Sequence, residues 1–257
     1  MRRKSHILLL GSLVSLAGYL ALAIVTAQQG LVALDYGTRT WVQLLKYQAL
    51  DLPMTIVTEL GDASGLVPAL LFAMVVLWRV SRQWAIALPL LMIGAWALQF
   101  LTKWAAGRDR PNLDPWGFPS GHVLSLAVFF GLIVWLIATA SKRRRRWRLL
   151  ACAMCVWTLG IVAFSRLYLD KHWLTDLAGG LMVGLAYLLF AIWVVEVAWT
   201  AYSAARAARH ALSKTAASEV FDEADDRTTS VPVGGGVGLR GERYAGAREG
   251  PDEAHAR

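Results

Sequence analysis

Residues 119–148 read PSGHVLSLAVFFGLIVWLIATASKRRRRWR. A short polar opening with a histidine comes first. Eighteen residues, 123–140, then pass without a charge, and six cations between Lys142 and Arg148 close the stretch. A bilayer core takes about 20 helical residues to cross. In lipid, backbone polar groups must be satisfied within the segment, which leaves a helix as the solution for an apolar run of this length. Lys and Arg gather on the cytoplasmic side of such spans. The stretch therefore reads as a membrane helix running from outside to inside.

Working outward, residues 7–27, 63–80, 84–101, 149–164 and 174–200 are further apolar runs. The basic clusters Arg2-Arg3-Lys4, Arg79 with Arg82, and Lys142–Arg148 fall at alternate ends of these runs. Six spans with the N-terminus inside place every cluster in the cytoplasm. Residues 28–62, 103–122 and 165–173 then lie outside. The expected fold class is all-α, a polytopic membrane helix bundle with six transmembrane spans and both termini cytoplasmic. A cleaved signal peptide is the alternative for 7–27, but its apolar run exceeds the usual 7–15 residues, so an uncleaved span is preferred.

Composition agrees. Of 257 residues, 56% are hydrophobic and 17% charged, and the mean hydropathy is +0.46. Soluble domains carry roughly 45–50% apolar and about 25% charged residues. A water-soluble globule and a disordered chain are both excluded, and two cysteines exclude a disulfide scaffold. The net charge of +8 does not indicate nucleic acid, because the first 202 residues hold 18 Lys+Arg against 9 Asp+Glu, placed at span ends. Residues 203–257 hold 8 against 9, with many Gly and Ala. They are expected to form a disordered cytoplasmic tail after a membrane domain of residues 1–202.

Between the first two spans, Trp41, Leu44, Leu45 and Tyr47 recur partly at helical spacing, with Arg39, Lys46 and Asp51 among them. This segment reads as amphipathic, lying at the outer interface. Pro53 suits a helix start, and residues 61–65 a break.

Two outside segments concentrate functional groups: Lys103 to Arg110-Pro111 followed by Pro119-Ser120-Gly121-His122, and Ser165-Arg166 followed by His172 and Asp176. Charges at membrane depth are costly and mark function by default. Lys103, Arg110 and Arg166 are cations from separate loops, suited to a phosphate. Ser120-Gly121 opens a helix whose free N–H groups and dipole favour an anion. His172 and Asp176 are neighbours if both lie on the sixth helix. A carboxylate on one ring nitrogen leaves the other nitrogen a free lone pair. His122 is placed to deliver a proton. Singly, each piece has a structural reading: a snorkelling cation, a capping serine, a histidine–aspartate brace. All of them fall on one face of the membrane, which favours a common site.

These blocks resemble the type-2 phosphatidic acid phosphatase superfamily, whose signature is K-x6-RP, PSGH and SR-x5-H-x3-D. The resemblance covers residues 103–176 in its motifs and roughly 1–200 in its span layout. It implies that His172 is the nucleophile, forming a phosphohistidine, that Asp176 orients it, and that His122 protonates the leaving oxygen and then activates water. It implies that Lys103, Arg110, Ser120, Gly121 and Arg166 hold the phosphoryl oxygens. Because three cations can neutralise the transferring group, no metal and no cofactor are expected. Asp109, Asp114 and Glu59 read as loop residues. Trp41, Trp104, Trp116 and Trp173 are expected at the outer interface, Trp116 and Phe118 are candidates for contact with a lipid chain, and Cys152 and Cys155 pack inside the fifth span.

The function expected is an integral membrane phosphatase of the bacterial inner membrane, with its site on the outer, periplasmic side. Its partners are the bilayer and a lipid phosphate or prenyl diphosphate: undecaprenyl diphosphate, phosphatidylglycerol phosphate or phosphatidic acid. Short loops favour the prenyl diphosphate. A lipid phosphotransferase using the same phosphohistidine is the alternative, followed by a non-catalytic membrane scaffold or transporter. No nucleic-acid partner is expected, and the sequence leaves the oligomeric state open.

Overall fold

A computed structural model of the chain describes residues 2–28, 30–139 and 145–229, with side chains described from His6 to Thr215. The chain divides into two units, Met1–Ser203 and Ala204–Arg257. Among the described residues all regular structure is helical: α1 (Arg2–Ala27), α2 (Val32–Leu44), α3 (Gln48–Glu59), α4 (Ala63–Val80), α5 (Arg82–Ala106), α6 (Gly121–Thr139), α7 (Arg145–Tyr168) and α8 (Leu174–Thr229). Six of these, α1 and α4 to α8, are long and apolar enough to cross a membrane. The expected fold class is the observed one.

The helix read first is the centre of the bundle. Half of the apolar window of α6 is buried, against 6% for α4 and 11% for α1. Leu124, Leu126, Val128, Phe129 and Leu132 of α6 form the core with Leu88, Met92 and Ala95 of α5, Val162 of α7, and Val183 and Ile192 of α8. The outer helices turn apolar side chains such as Phe72 and Val75 outward, as a lipid-facing surface requires. The α1 helix is built into the bundle: Ser12 Oγ donates to the Ala186 carbonyl at 2.8 Å, and Tyr19 stacks on Phe118 with centroids 5.7 Å apart.

Several boundaries differ from the sequence reading. That reading ends the third span at residue 101 and the fifth at 164, just short of Lys103 and Arg166. In the structure α5 runs on to Ala106 and α7 to Tyr168, so Lys103 and Arg166 sit on final helical turns rather than in loops. Buried protein partners, not lipid, surround these charges, so the helices need not stop. Pro53 lies inside α3, not at its start. The amphipathic α2 faces the opposite way from a helix on a soluble core: Asp35 is buried, while Trp41 and Leu44 are exposed.

In the second unit, α8 continues helical to Thr229, past residue 203 where the tail was expected to become disordered. Ala204, Ala205, Ala207, Ala208 and Ala211 are the strongest helix formers, and local propensity suffices there without apolar burial. The remainder of the expected tail, 230–257, and the basic residues 142–144 lie outside the described residues.

Candidate active site

The α5 helix ends at Gly107, whose φ of 59° provides a left-handed C-cap and whose N–H donates to the Lys103 carbonyl. This fixes Lys103 one turn from the helix end. The loop that follows is closed by Gly117 N–H to the Arg108 carbonyl at 2.6 Å and Arg110 N–H to the Asp114 carbonyl at 2.9 Å. It then meets α8: Ser120 N–H donates to the Asp176 carbonyl at 2.9 Å, while the Ser120 carbonyl accepts the Leu124 N–H and starts α6. Gly180 makes this approach possible, because a Cβ there would stand 2.5 Å from the Ser120 carbonyl oxygen.

Lys103, Arg110, Gly121, His122, Arg166 and His172 line one cavity of about 320 Å³, together with Asp62 just before α4 and residues of α4 and α5 that include Leu66, Trp96 and Gln99. The other two expected residues adjoin it. Ser120 is wholly buried immediately before Gly121, and Asp176 is wholly buried behind His172. All eight residues are thus brought together from α5, the loop after it, α6, α7, the connection from α7 to α8 and the start of α8.

Hydrogen-bond bookkeeping distinguishes this cavity from a packed core. Among the described residues, five buried side-chain N or O atoms have no hydrogen-bond partner, and four belong to expected site residues: Arg110 Nε, Ser120 Oγ, His122 Nε2 and Arg166 Nε. An unmade buried hydrogen bond costs about 1–3 kcal/mol. Folded proteins retain such groups where they serve a ligand or a reaction. Lys103 Nζ donates one hydrogen bond, to the Trp116 carbonyl at 3.1 Å.

His172 Nδ1 lies 3.2 Å from Asp176 Oδ2. The two residues meet, but not through a shared helix as the i, i+4 spacing suggests. His172 precedes α8, which starts at Leu174. Asp176 in the first turn reaches back and accepts the Trp173 N–H at 3.0 Å, as a capping carboxylate does, and thereby meets the histidine. Burial, reinforced by Arg166, Lys103 and Arg110, holds the His172 imidazole well below its ordinary protonation range. The ring is therefore neutral near pH 7. The tautomer with its proton on Nδ1, directed at Asp176, leaves Nε2 a lone pair.

Several partners escaped the sequence reading. Arg166 Nη1 donates to Thr58 Oγ1 of α3 at 2.9 Å. His122 Nε2 stands 3.1 Å from Asp62 Oδ1. Arg108, unassigned although it lies in the quoted motif, donates from Nη1 to Asp176 Oδ1 at 2.9 Å and from Nη2 to Asp35 Oδ2 at 2.6 Å. Asp35 in turn accepts the Thr175 N–H and hydroxyl at 3.0 and 2.7 Å. Two aromatic expectations fail. Trp173 is buried and donates Nε1–H to the Asp109 carbonyl at 3.1 Å, and Phe118 is buried against Tyr19. Both rings brace the loop and neither faces lipid.

The PAP2 superfamily model matches residues 84–200. Phosphatidylglycerophosphatase B of Bacillus subtilis is 30% identical over 159 residues, 57% of this chain and 75% of that protein. The crystal structure of a transmembrane PAP2-type phosphatidylglycerolphosphate phosphatase from Bacillus subtilis superposes with a TM-score of 0.65 at 21% identity, covering 72% of this chain and 96% of that one. That of Aquifex aeolicus LpxE gives 0.50 at 17% identity, covering 62% and 94%.

Proposed function

This chain belongs to the PAP2 superfamily, and from that premise we propose that it removes phosphate from a membrane lipid through a phosphohistidine on the outer face of the bilayer. It is a multi-pass membrane enzyme of the lipid phosphatase class. The observation that carries the mechanistic reading is the cavity in which a neutral, buried His172 shares walls with three cations and with polar atoms that lack partners.

In the first step His172 Nε2 attacks phosphorus and the bond from phosphorus to the lipid oxygen breaks. His122 gives that oxygen its proton. Asp176 stabilises the positive charge that develops on the His172 ring. In the second step water attacks phosphorus, His122 takes the water proton, the P–N bond breaks, and inorganic phosphate leaves. Lys103, Arg110 and Arg166 neutralise the equatorial oxygens, with Ser120 Oγ–H and the N–H groups at the start of α6 as further donors. These groups supply positioning and charge, which is most of what phosphoryl transfer asks of a protein.

Sidedness rests on charge. Arg79 and Arg82 lie at the α4–α5 junction and Arg145, Arg146 and Arg148 at the start of α7, the helix ends away from the cavity. The positive-inside rule then turns the cavity outward. The catalytic unit is residues 1–202, so truncation after about residue 210 leaves turnover in detergent unchanged.

Phosphate release by the purified chain, measured across a panel of lipids with EDTA present, tests the reading. The name of the Bacillus subtilis relative puts phosphatidylglycerol phosphate first on the panel, with undecaprenyl diphosphate and phosphatidic acid beside it. Release from at least one of them, insensitive to EDTA, is expected. Activity that EDTA abolishes and Mg²⁺ restores contradicts the cation-only site.

A further inference from the structure

Asp176 has two carboxylate oxygens with separate duties. Oδ2 faces His172 Nδ1 at 3.2 Å and accepts the Trp173 N–H at 3.0 Å. Oδ1 accepts Arg108 Nη1 at 2.9 Å. Arg108 is itself held at several points. Nη1 donates to Thr175 Oγ1 and Nη2 to Asp35 Oδ2, both at 2.6 Å, and its guanidinium lies 5.7 Å over the Trp173 ring. Thr175 donates its hydroxyl to Asp35 Oδ2 and its backbone N–H to Asp35 Oδ1. Asp35 comes from α2, 141 positions before Asp176, and is 1% exposed. None of Arg108, Asp35 and Thr175 lines the cavity.

We propose that Arg108, locked in place by Asp35, is a positioning residue that aims the Asp176 carboxylate at His172. The need for it follows from the cations across the ring. Lys103, Arg110 and Arg166 gather around His172 to meet a phosphoryl group, and an untethered carboxylate beside them is drawn toward the nearest one. A rotated Asp176 gives up the hydrogen bond that fixes the ring tautomer and the charge that stabilises the ring as it becomes phosphorylated. Arg108 engages the oxygen that His172 does not use, and a bidentate-capable, planar group restrains its orientation where a point charge does not. A buried carboxylate such as Asp35 is retained only when paired. Here its partners are the guanidinium and the first turn of α8, so it ties the α2 segment to the catalytic pair.

The inference rests on the phosphohistidine reading, and the experiment separates the two. The full chain is purified in detergent as wild type, His172→Ala, Arg108→Gln, Arg108→Lys and Asp35→Asn, and phosphate release from phosphatidic acid in mixed micelles is followed at varied substrate. Arg108→Gln is expected to lower kcat on the order of 10–100-fold, the scale seen when an outer partner of an active-site ligand is lost, with KM nearly unchanged. Asp35→Asn, nearly isosteric, lowers kcat in the same direction by less, and Arg108→Lys recovers part of the loss seen in Arg108→Gln. Wild-type kcat in a monodisperse Asp35→Asn or Arg108→Gln protein overturns the proposal. So does a raised KM at unchanged kcat, because that pattern marks a substrate contact. Retained activity in His172→Ala instead overturns the phosphohistidine reading, whatever Arg108 does.

Discussion

Asp176 and Arg166 are both buried charges beside His172, and the chain treats them in opposite ways. Asp176 accepts from Arg108 and from the Trp173 N–H, and five hydrogen bonds connect Arg108, Thr175, Asp35 and Asp176. Arg166 has a hydrogen bond to Thr58, an unpartnered Nε, and no salt bridge among the described residues. Carrying an unpaired buried charge costs several kcal/mol. The saturated side fixes geometry before a substrate arrives, and the unsaturated side keeps donors for the substrate itself. Such a division is expected of a site whose catalysis depends on preorganisation.

The largest effect expected from breaking this arrangement is at the atom between the two sides. His172→Ala should abolish turnover, because it removes the ring nitrogen that takes the phosphoryl group in the proposed mechanism. The check is phosphate release together with acid-quench trapping of labelled phosphoenzyme, which should vanish. His122→Ala comes next, at about 10²–10⁴-fold, the usual worth of a general acid and base. Its signature differs: the phosphoenzyme should accumulate on an activated ester, whose leaving group needs no proton. Arg166→Ala should cost on the order of 10²–10³-fold, as for other lost charge-stabilising donors, and should weaken product inhibition by inorganic phosphate. Unaltered phosphate inhibition in Arg166→Ala would remove that residue from the unsaturated side.

Acid probes the same asymmetry without a mutation. The His172 protonation midpoint is depressed in the folded chain by burial and by the three cations. The free base, which is the reactive form, therefore persists as pH falls through about 6.5, the ordinary histidine value. As far as His172 is concerned, kcat/KM should stay flat there and drop only at distinctly lower pH. Stability has the opposite sensitivity. The unfolded chain takes up the proton near pH 6.5 while the folded chain declines it, so the contribution of this group falls with acid below that value and is constant above it. A limb in kcat/KM at pH 6.5 assigned to His172 by NMR would contradict the cation-rich setting.

How much of this was legible in the sequence follows from range. The six spans could be read because apolar length and terminal charge are local properties. That the eight candidate residues would meet could be read because their motifs keep spacing within each block, and the folded chain brings the three blocks to one cavity. Asp35, Thr58 and Asp62 carry no such signal. Each is a single polar residue in α2, α3 or the turn before α4, and its meaning lies in a partner on another helix, as Thr58 has in Arg166, 108 positions away. Arg108 stood in plain view between Lys103 and Arg110, but its neighbours in sequence do not indicate whether it faces the cavity or Asp176. The helical stretch after residue 203 was missed for the converse reason, since alanine-rich propensity can hold a helix without the apolar burial on which the reading relied.

The smallest effect is expected where the chain repeats the pattern of Arg108 at the rim. Arg39 also lies over the Trp173 ring, at 5.9 Å, and also pairs with an aspartate, donating Nε and Nη2 to Asp170 at 2.7 and 2.6 Å. Distances alone rank the two arginines alike. Exposure separates them: the Arg39 side chain is 37% exposed and Asp170 20%, whereas Arg108 is 20% exposed and its carboxylate partners 1% and 0%. Solvent screens the outer pair, and exposed pairs contribute about 0.2–1 kcal/mol. Neither Arg39 nor Asp170 touches Asp176, His172 or the cavity. Arg39→Gln should therefore lower thermal stability slightly and leave kcat and KM within about twofold, the spread expected of a substitution that removes no catalytic contact. Thermal unfolding in detergent and steady-state kinetics on one preparation decide it. A loss of kcat in Arg39→Gln comparable with that in Arg108→Gln would mean that the Trp173 ring, which both guanidinium groups approach, transmits their influence to Asp176, and the distinction between rim and interior would have to be redrawn around Trp173.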